Sequence, residues 1–194
     1  MHYRIIFSFI LIFIANNVFG YENYITRNGT ITLNASTPLE NIDPVNEYVS
    51  AVFNANTGDI VFQLKMLSFK FKNALMEEHF NEKYVESEKF PKSIFIGRLF
   101  QGDSLLIIQD NEFKVPNDSY KKFKNVIAKG EIQIHGVTKY IEIPGNIIIQ
   151  KNSISLDATF AVNPYEYNIK IPKIVREKIA KQVIVEVKMT LFPK

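Results

Sequence analysis

From Thr30 onward, apolar and polar residues alternate along most of the chain. Ile31, Leu33 and Ala35 interleave with Thr30, Thr32 and Asn34. Val49, Ala51, Phe53 and Ala55 form a second run, and Ile60, Phe62, Leu64 and Met66 a third. Asn56-Thr57-Gly58-Asp59 separates these two, which is hairpin chemistry. The same period returns at Phe95, Gly97 and Leu99, at Val126 to Ile134, and through Lys139, Ile141 and Ile143. It returns again at Ile154 to Val162 and at Val183 to Leu191. A period of two with one apolar face predicts half-buried strands. Eight or nine strands with mostly short turns predict antiparallel neighbours. A two-sheet sandwich and a closed barrel both fit this pattern. Gly97 and Gly130 fall mid-strand, as at a barrel corner, and favour the barrel.

Two segments break the period. Between Asn73 and Glu88, the residues Leu75, Met76, His79, Phe80, Tyr84 and Val85 recur at spacings of three and four. Asn73 and Asn81 both suit an N-cap, which predicts two short helices within 73–88. Phe90-Pro91 closes the segment. Pro172 to Lys181 is the second break. Pro172 opens it, Ile174, Val175 and Ile179 share a face, and Lys178 and Lys181 suit the far end. This predicts a short helix over 172–181, packed on one edge of the sheet. Leu105 to Ile108 and Ile147 to Ile149 are apolar on both faces. Such a run suits either a homodimer contact or a place beneath the terminal helix.

Composition then narrows the picture. Of 194 residues, 46% are hydrophobic, with 16 Phe and 9 Tyr, enough for a core in one domain. Residues 1–20 have the form of a signal peptide. Arg4 supplies the charge, Ile5 to Ile14 is apolar apart from Ser8, and Val18 and Gly20 are small or short at the cleavage site. The apolar run is too short to span a bilayer of about 30 Å. The expected domain is therefore 21–194, exported to the periplasm or secreted, with no transmembrane segment after cleavage. Without Arg4 the chain has 22 basic and 20 acidic residues, scattered rather than clustered, which argues against nucleic acid. There is no Cys, so the core must hold the fold without disulfides.

No catalytic constellation emerges. His79 and His135 are the only histidines beyond residue 20, and there is no Gly-x-Ser-x-Gly elbow and no glycine-rich phosphate loop. His135-Gly136 reads as a turn. Glu78, His79 and Glu82 share a helix face that could hold a metal, but the second His of a zinc motif is missing. A solvated helix face explains these charges better. The sequence therefore indicates no enzyme, no metal and no cofactor. What remains is the apolar interior, since an eight-stranded barrel either fills itself or holds one small ligand.

Several stretches carry a family resemblance. Phe69-Lys70-Phe71 leads through Leu75-Met76-x-Glu78-His79-Phe80-Asn81-Glu82-x-Tyr84 to Phe90-Pro91 and Phe95-x-Gly97. Gly130-x-Ile132-x-Ile134-His135-Gly136-Val137-Thr138-Lys139 forms a second stretch, and Phe160-x-Val162, Tyr167-x-Ile169 and Ile171-Pro172 a third. Together they resemble the YceI-like family of lipid- or polyisoprenoid-binding exported proteins, over residues 29 to 192. Asn163-Pro164 stands where many members carry Arg, and the long Glu78-His79-Phe80-Asn81-Glu82 segment points to a divergent branch. The resemblance implies a lipocalin-like antiparallel barrel with a long apolar cavity. It also implies a non-covalent amphiphile, such as an isoprenoid quinone or a fatty-acyl compound. The expected cavity wall comprises Phe53, Phe62, Leu64, Met66, Phe69, Phe71, Leu75, Met76, Phe80, Tyr84, Phe90, Phe95 and Phe160. The alternative expectation is a packed barrel serving as a structural or interaction module at the cell envelope.

Overall fold

In the computed structural model, which describes residues 22–116 and 119–194, the alternation becomes nine strands. They are β1 (Asn23–Asn34), β2 (Val45–Asn54), β3 (Asp59–Lys65), β4 (Lys92–Gln101), β5 (Ser104–Leu105), β6 (Lys121–Ile134), β7 (Val137–Gln150), β8 (Ser153–Val162) and β9 (Val183–Pro193). Eight of them form a closed ring in the order β1-β2-β3-β4-β6-β7-β8-β9, with β9 pairing back onto β1. Every neighbouring pair is antiparallel. The two-residue β5 only extends an arm from β4. The fold is therefore the eight-stranded barrel rather than the sandwich. The signal-peptide expectation for residues 1–20 lies outside the described residues.

Closure requires the sheet to bend, and two glycines allow it. Gly97 of β4 and Gly130 of β6 are direct cross-strand partners. A Cβ on Gly130 would lie 2.2 Å from the Ile96 carbonyl oxygen and 2.5 Å from Gly97 Cα. Neither position can carry a side chain without separating the strands. The β6–β7 turn uses His135 and Gly136 in succession at φ of 50° and 75°, the geometry of a tight two-residue hairpin. β1 begins at Asn23, ahead of the clear alternation, because register irregularities between Thr26 and Ile31 break the period there.

The two ends of the barrel differ. The connections at one end are short or packed: residues 55–58, 102–120 and 151–152. There Leu106 and Ile108 are buried, and Phe113 stacks on Tyr24 with ring centroids 4.9 Å apart. The Leu105 to Ile108 run thus plugs the barrel floor with its alternate residues, while Leu105 and Ile107 stay exposed. The other end carries the long connections, 35–44, 66–91 and 163–182, and only the two-residue β6–β7 turn is short.

Both helical expectations change in detail. A single helix runs from Ala74, capped by the Asn73 side chain, which accepts from the Leu75 and Met76 amides. It widens at Phe80–Tyr84, where the Val85 amide reaches back five residues to the Phe80 carbonyl at 2.9 Å. Asn81 is not a second N-cap. Its amide donates to the Glu77 carbonyl at 2.9 Å, and its oxygen accepts from Ser87. The C-terminal break is a 3-10 helix, Lys173–Lys178, rather than an α-helix over 172–181. Its β-branched Ile174 and Val175 are weak helix formers, and Ile174 is 91% exposed, so no shared apolar face drives a longer helix. It crosses the open end of the barrel rather than packing on a sheet edge, since Val175, Lys178 and Ile179 face the cavity there.

The glycine pair gives a direct test. Gly130→Ala forces a Cβ into backbone atoms and is expected to destabilise by about 1–3 kcal/mol, the range for overpacking. Gly102→Ala, where nothing lies within 4 Å of the new Cβ, is expected to cost less, from its φ of 62° alone. Chemical denaturation of the two variants measures the difference.

Candidate functional site

The long connections roof a cavity at the open end. Its volume is about 480 Å³. Strand ends form its wall: Ile31 and Leu33 from β1 with Ala35 just beyond it, Ile132 and Ile134 from β6, Val183 and Val185 from β9. The 3-10 turn at Met66–Ser68, the segment Phe69–Phe71 and the 74–84 helix form one side of the roof, and residues 169–179 form the other. Below it lies a second pocket of about 90 Å³ inside the barrel. Ile31, Leu64, Ser93, Ile132 and Phe160 line both, so the two spaces abut. The lining is almost wholly apolar. The polar side chains of the lining are Glu40, Asn73, His79, Tyr84 and Lys178, with the buried Ser93 between the two spaces.

Eleven of the thirteen residues expected at the wall are there. Met66, Phe69, Phe71, Leu75, Met76, Phe80 and Tyr84 line the outer cavity, and Phe62 and Phe95 line the inner pocket. Leu64 and Phe160 line both. Two are elsewhere. Phe53 points inward but sits at the floor end, a cross-strand partner of Tyr24 and Ile60, fully buried and lining neither space. Phe90 lies outside the cavity, its ring 4.3 Å from that of His135. Sequence reasoning missed the β1, β6 and β9 strand ends. The signal was present: once the 73–88 segment is placed as a roof, every strand end that meets it must line the space below.

Three contacts hold the helical roof. Phe80 packs on Phe69 and Phe71, with ring centroids 5.5 and 5.0 Å away. Glu77 accepts from Lys70 Nζ at 2.6 Å and from the Phe71 amide at 3.2 Å. The Lys70 hydrogen bond first, and then the Phe71 amide, hold the Glu77 carboxyl below its ordinary value of 4.5. At the other end of the roof, Glu86 Oε2 lies 2.8 Å from His135 Nε2, while His135 Nδ1 lies 2.9 Å from the Tyr167 carbonyl. The His135 side chain is only 7% exposed. It is thus a turn residue and also a buried tie between the helical roof, the β6–β7 turn and the 164–167 segment. Both ring nitrogens thus lie at hydrogen-bonding distance from an oxygen.

Burial raises the Tyr84 phenol above its usual 10, so it stays a neutral hydroxyl at the cavity wall. Glu78 and Glu82 project to solvent, while His79 lines the cavity. Among the described residues no group of three His, Asp or Glu side chains converges on one point. Nor is any helix there long and apolar enough to cross a membrane.

The fold and the roofed cavity can be set beside known proteins. The YceI-like domain matches residues 22–191. The chain belongs to the YceI-like family. Its barrel resembles a polyisoprenoid-binding domain from Saccharophagus degradans implicated in plant cell wall breakdown. That pair is 9% identical with a TM-score of 0.70, covering 90% of this chain and 100% of the other. BcnA of Burkholderia cenocepacia is 11% identical with a TM-score of 0.66, over 84% and 95% of the two chains. The Campylobacter jejuni YceI protein is 14% identical with a TM-score of 0.50, over 75% and 82%. No curated protein matches this sequence. At these identities the YceI-like structures share the fold, and the cavity's lining must be read from this chain.

The roof contacts give two expectations. The Glu77 carboxyl is depressed in the folded state, so its stabilising bonds are complete above the unfolded value of about 4.5. They are lost as pH falls through the lower folded value. Amide exchange over 73–85 is therefore expected to quicken below that range in the parent, and to be fast already at neutral pH in Glu77→Gln. His135→Asn removes the tie to Glu86 and is expected to quicken exchange over 84–90 while the β-strand amides keep their protection.

Proposed function

We propose that this barrel is a non-catalytic binding protein for an amphiphile with an apolar chain, of the isoprenoid or fatty-acyl class. The carrying observation is the apolar cavity of about 480 Å³ beneath the roof, which abuts the inner pocket. Its size lies within the range of about 300–1,000 Å³ typical of small-molecule sites. Burying an alkyl or prenyl chain there stabilises by about 0.8 kcal/mol per methylene, so affinity needs few polar contacts. Tyr84, His79 and Asn73 stand near the rim, where a head group would sit. The likeness in fold to a polyisoprenoid-binding domain supports the same reading. The signal-like pattern of residues 1–20 supports a role in the periplasm or outside the cell, as a carrier, a store or part of a stress response.

The test is direct. Protein purified under native conditions is extracted with organic solvent and the extract analysed by mass spectrometry. A recurrent prenyl or acyl compound is expected, and its consistent absence would sink the reading. Leu64→Trp places a large ring where cavity and inner pocket meet. It is expected to weaken binding of a fluorescent fatty acid about tenfold or more while the protein still melts cooperatively. Unchanged affinity would favour a packed structural barrel instead.

A further inference from the structure

The roof has two halves of opposite charge. Residues 170–181 carry Lys170, Lys173, Arg176, Lys178 and Lys181 against the single acid Glu177. Residues 73–88 carry Glu77, Glu78, Glu82, Glu86 and Glu88 against Lys83 alone. The cationic half also presents apolar surface to solvent. Ile174 is 91% exposed and sits between Lys173 and Arg176. Tyr165, 41% exposed, lies under the Arg176 guanidinium at 5.9 Å. A single exposed apolar side chain is ordinary. An isoleucine almost wholly out of the fold, flanked by cations with no acidic partner, is not explained by packing. Of the five cations only Lys178 has such a partner among the described residues, Glu40 at 3.6 Å.

We propose that residues 170–181 form a docking lip for an anionic lipid bilayer. Ile174 enters the interface, and Lys173, Arg176, Lys170 and Lys181 meet lipid phosphates. Cations and an apolar anchor in one short segment are what such a surface recognises. The helical half of the roof, where Lys70 pairs with Glu77, offers no comparable run of unpaired cations. The lip lines the cavity through Ile171, Val175 and Ile179, which puts the mouth against the acyl region. Docking serves the binding reading above, because an apolar chain could then move between bilayer and cavity without crossing water.

The chain has no Trp, so one introduced indole reports alone. In Ile174→Trp, emission is expected to shift to the blue on vesicles of phosphatidylcholine with phosphatidylglycerol, and to be quenched by lipids brominated on the acyl chain. Asn152→Trp, in the β7–β8 turn at the barrel's other end, is expected to show neither effect. Lys173→Gln with Arg176→Gln is expected to weaken vesicle partition about 25-fold, at about fivefold per lost charge. Added salt is expected to weaken it in the same sense. Equal partition on neutral phosphatidylcholine, an equal response from Asn152→Trp, or indifference to the double substitution overturns the proposal. Fluorescent fatty-acid binding without vesicles is measured on the same samples and is expected to survive the double substitution. If cavity binding holds while docking fails, only the lip is wrong. If docking holds while cavity binding fails, the cavity reading falls and the lip stands.

Discussion

Eight antiparallel strands that close on themselves leave an interior whose width is set by strand number rather than by side chains. Backbone pairing between β3 and β4 and between β9 and β1 completes the ring. Inward side chains must then fill whatever space the ring encloses. At the floor they do: Phe53, Ile108 and Leu191 are fully buried there. Over the open half the wall residues face one another across about 480 Å³ that no residue occupies. The difference between the halves lies in what the connections supply, because the strands are the same strands throughout.

At the floor, the 102–120 connection turns inward and contributes Leu106, Ile108 and Phe113 as a plug. Its backbone is pinned by the Ile108 amide to the Ala55 carbonyl at 2.9 Å. At the mouth, the connections arch over the opening and contribute only one face. The helical roof faces its aromatic residues downward and its carboxylates outward, and its ends are tied by Glu77 and by the His135–Glu86 contact. The helical roof is thus a segment held at two ends and packed through one aromatic cluster. Local opening is drawn from such segments.

The strand pattern was legible because each strand has one wet face. Alternation identified Phe62, Leu64, Phe95 and Phe160 as inward-facing and flagged Gly97 and Gly130 as a corner. What alternation does not carry is depth. Phe53 and Phe62 have the same inward sense on neighbouring strands, yet one sits in the packed floor and the other on the inner pocket, because height along the barrel depends on register around the whole ring. Phe90 misled for another reason: it follows the helix and precedes Pro91, and its partners, His135 and Gly136, are more than forty positions away in sequence. The C-terminal break was read as an amphipathic helix because Ile174, Val175 and Ile179 share a helical spacing. The structure exposes Ile174, so spacing alone chose the wrong face.

An apolar cavity of this size bears on stability as well as on binding. Wall atoms that face open space lack the packing contacts that a filled core would give them, which costs stability. The roof can lessen that cost by settling inward, and water can enter at the polar rim, but an apolar lining gives water few partners. A chain lying along the lining removes the cost outright and restores the missing contacts. The same geometry that makes the barrel hollow therefore couples its occupant to its fold: whatever binds under the roof stabilises the roof and the upper wall together, and the floor, already packed, is left unchanged.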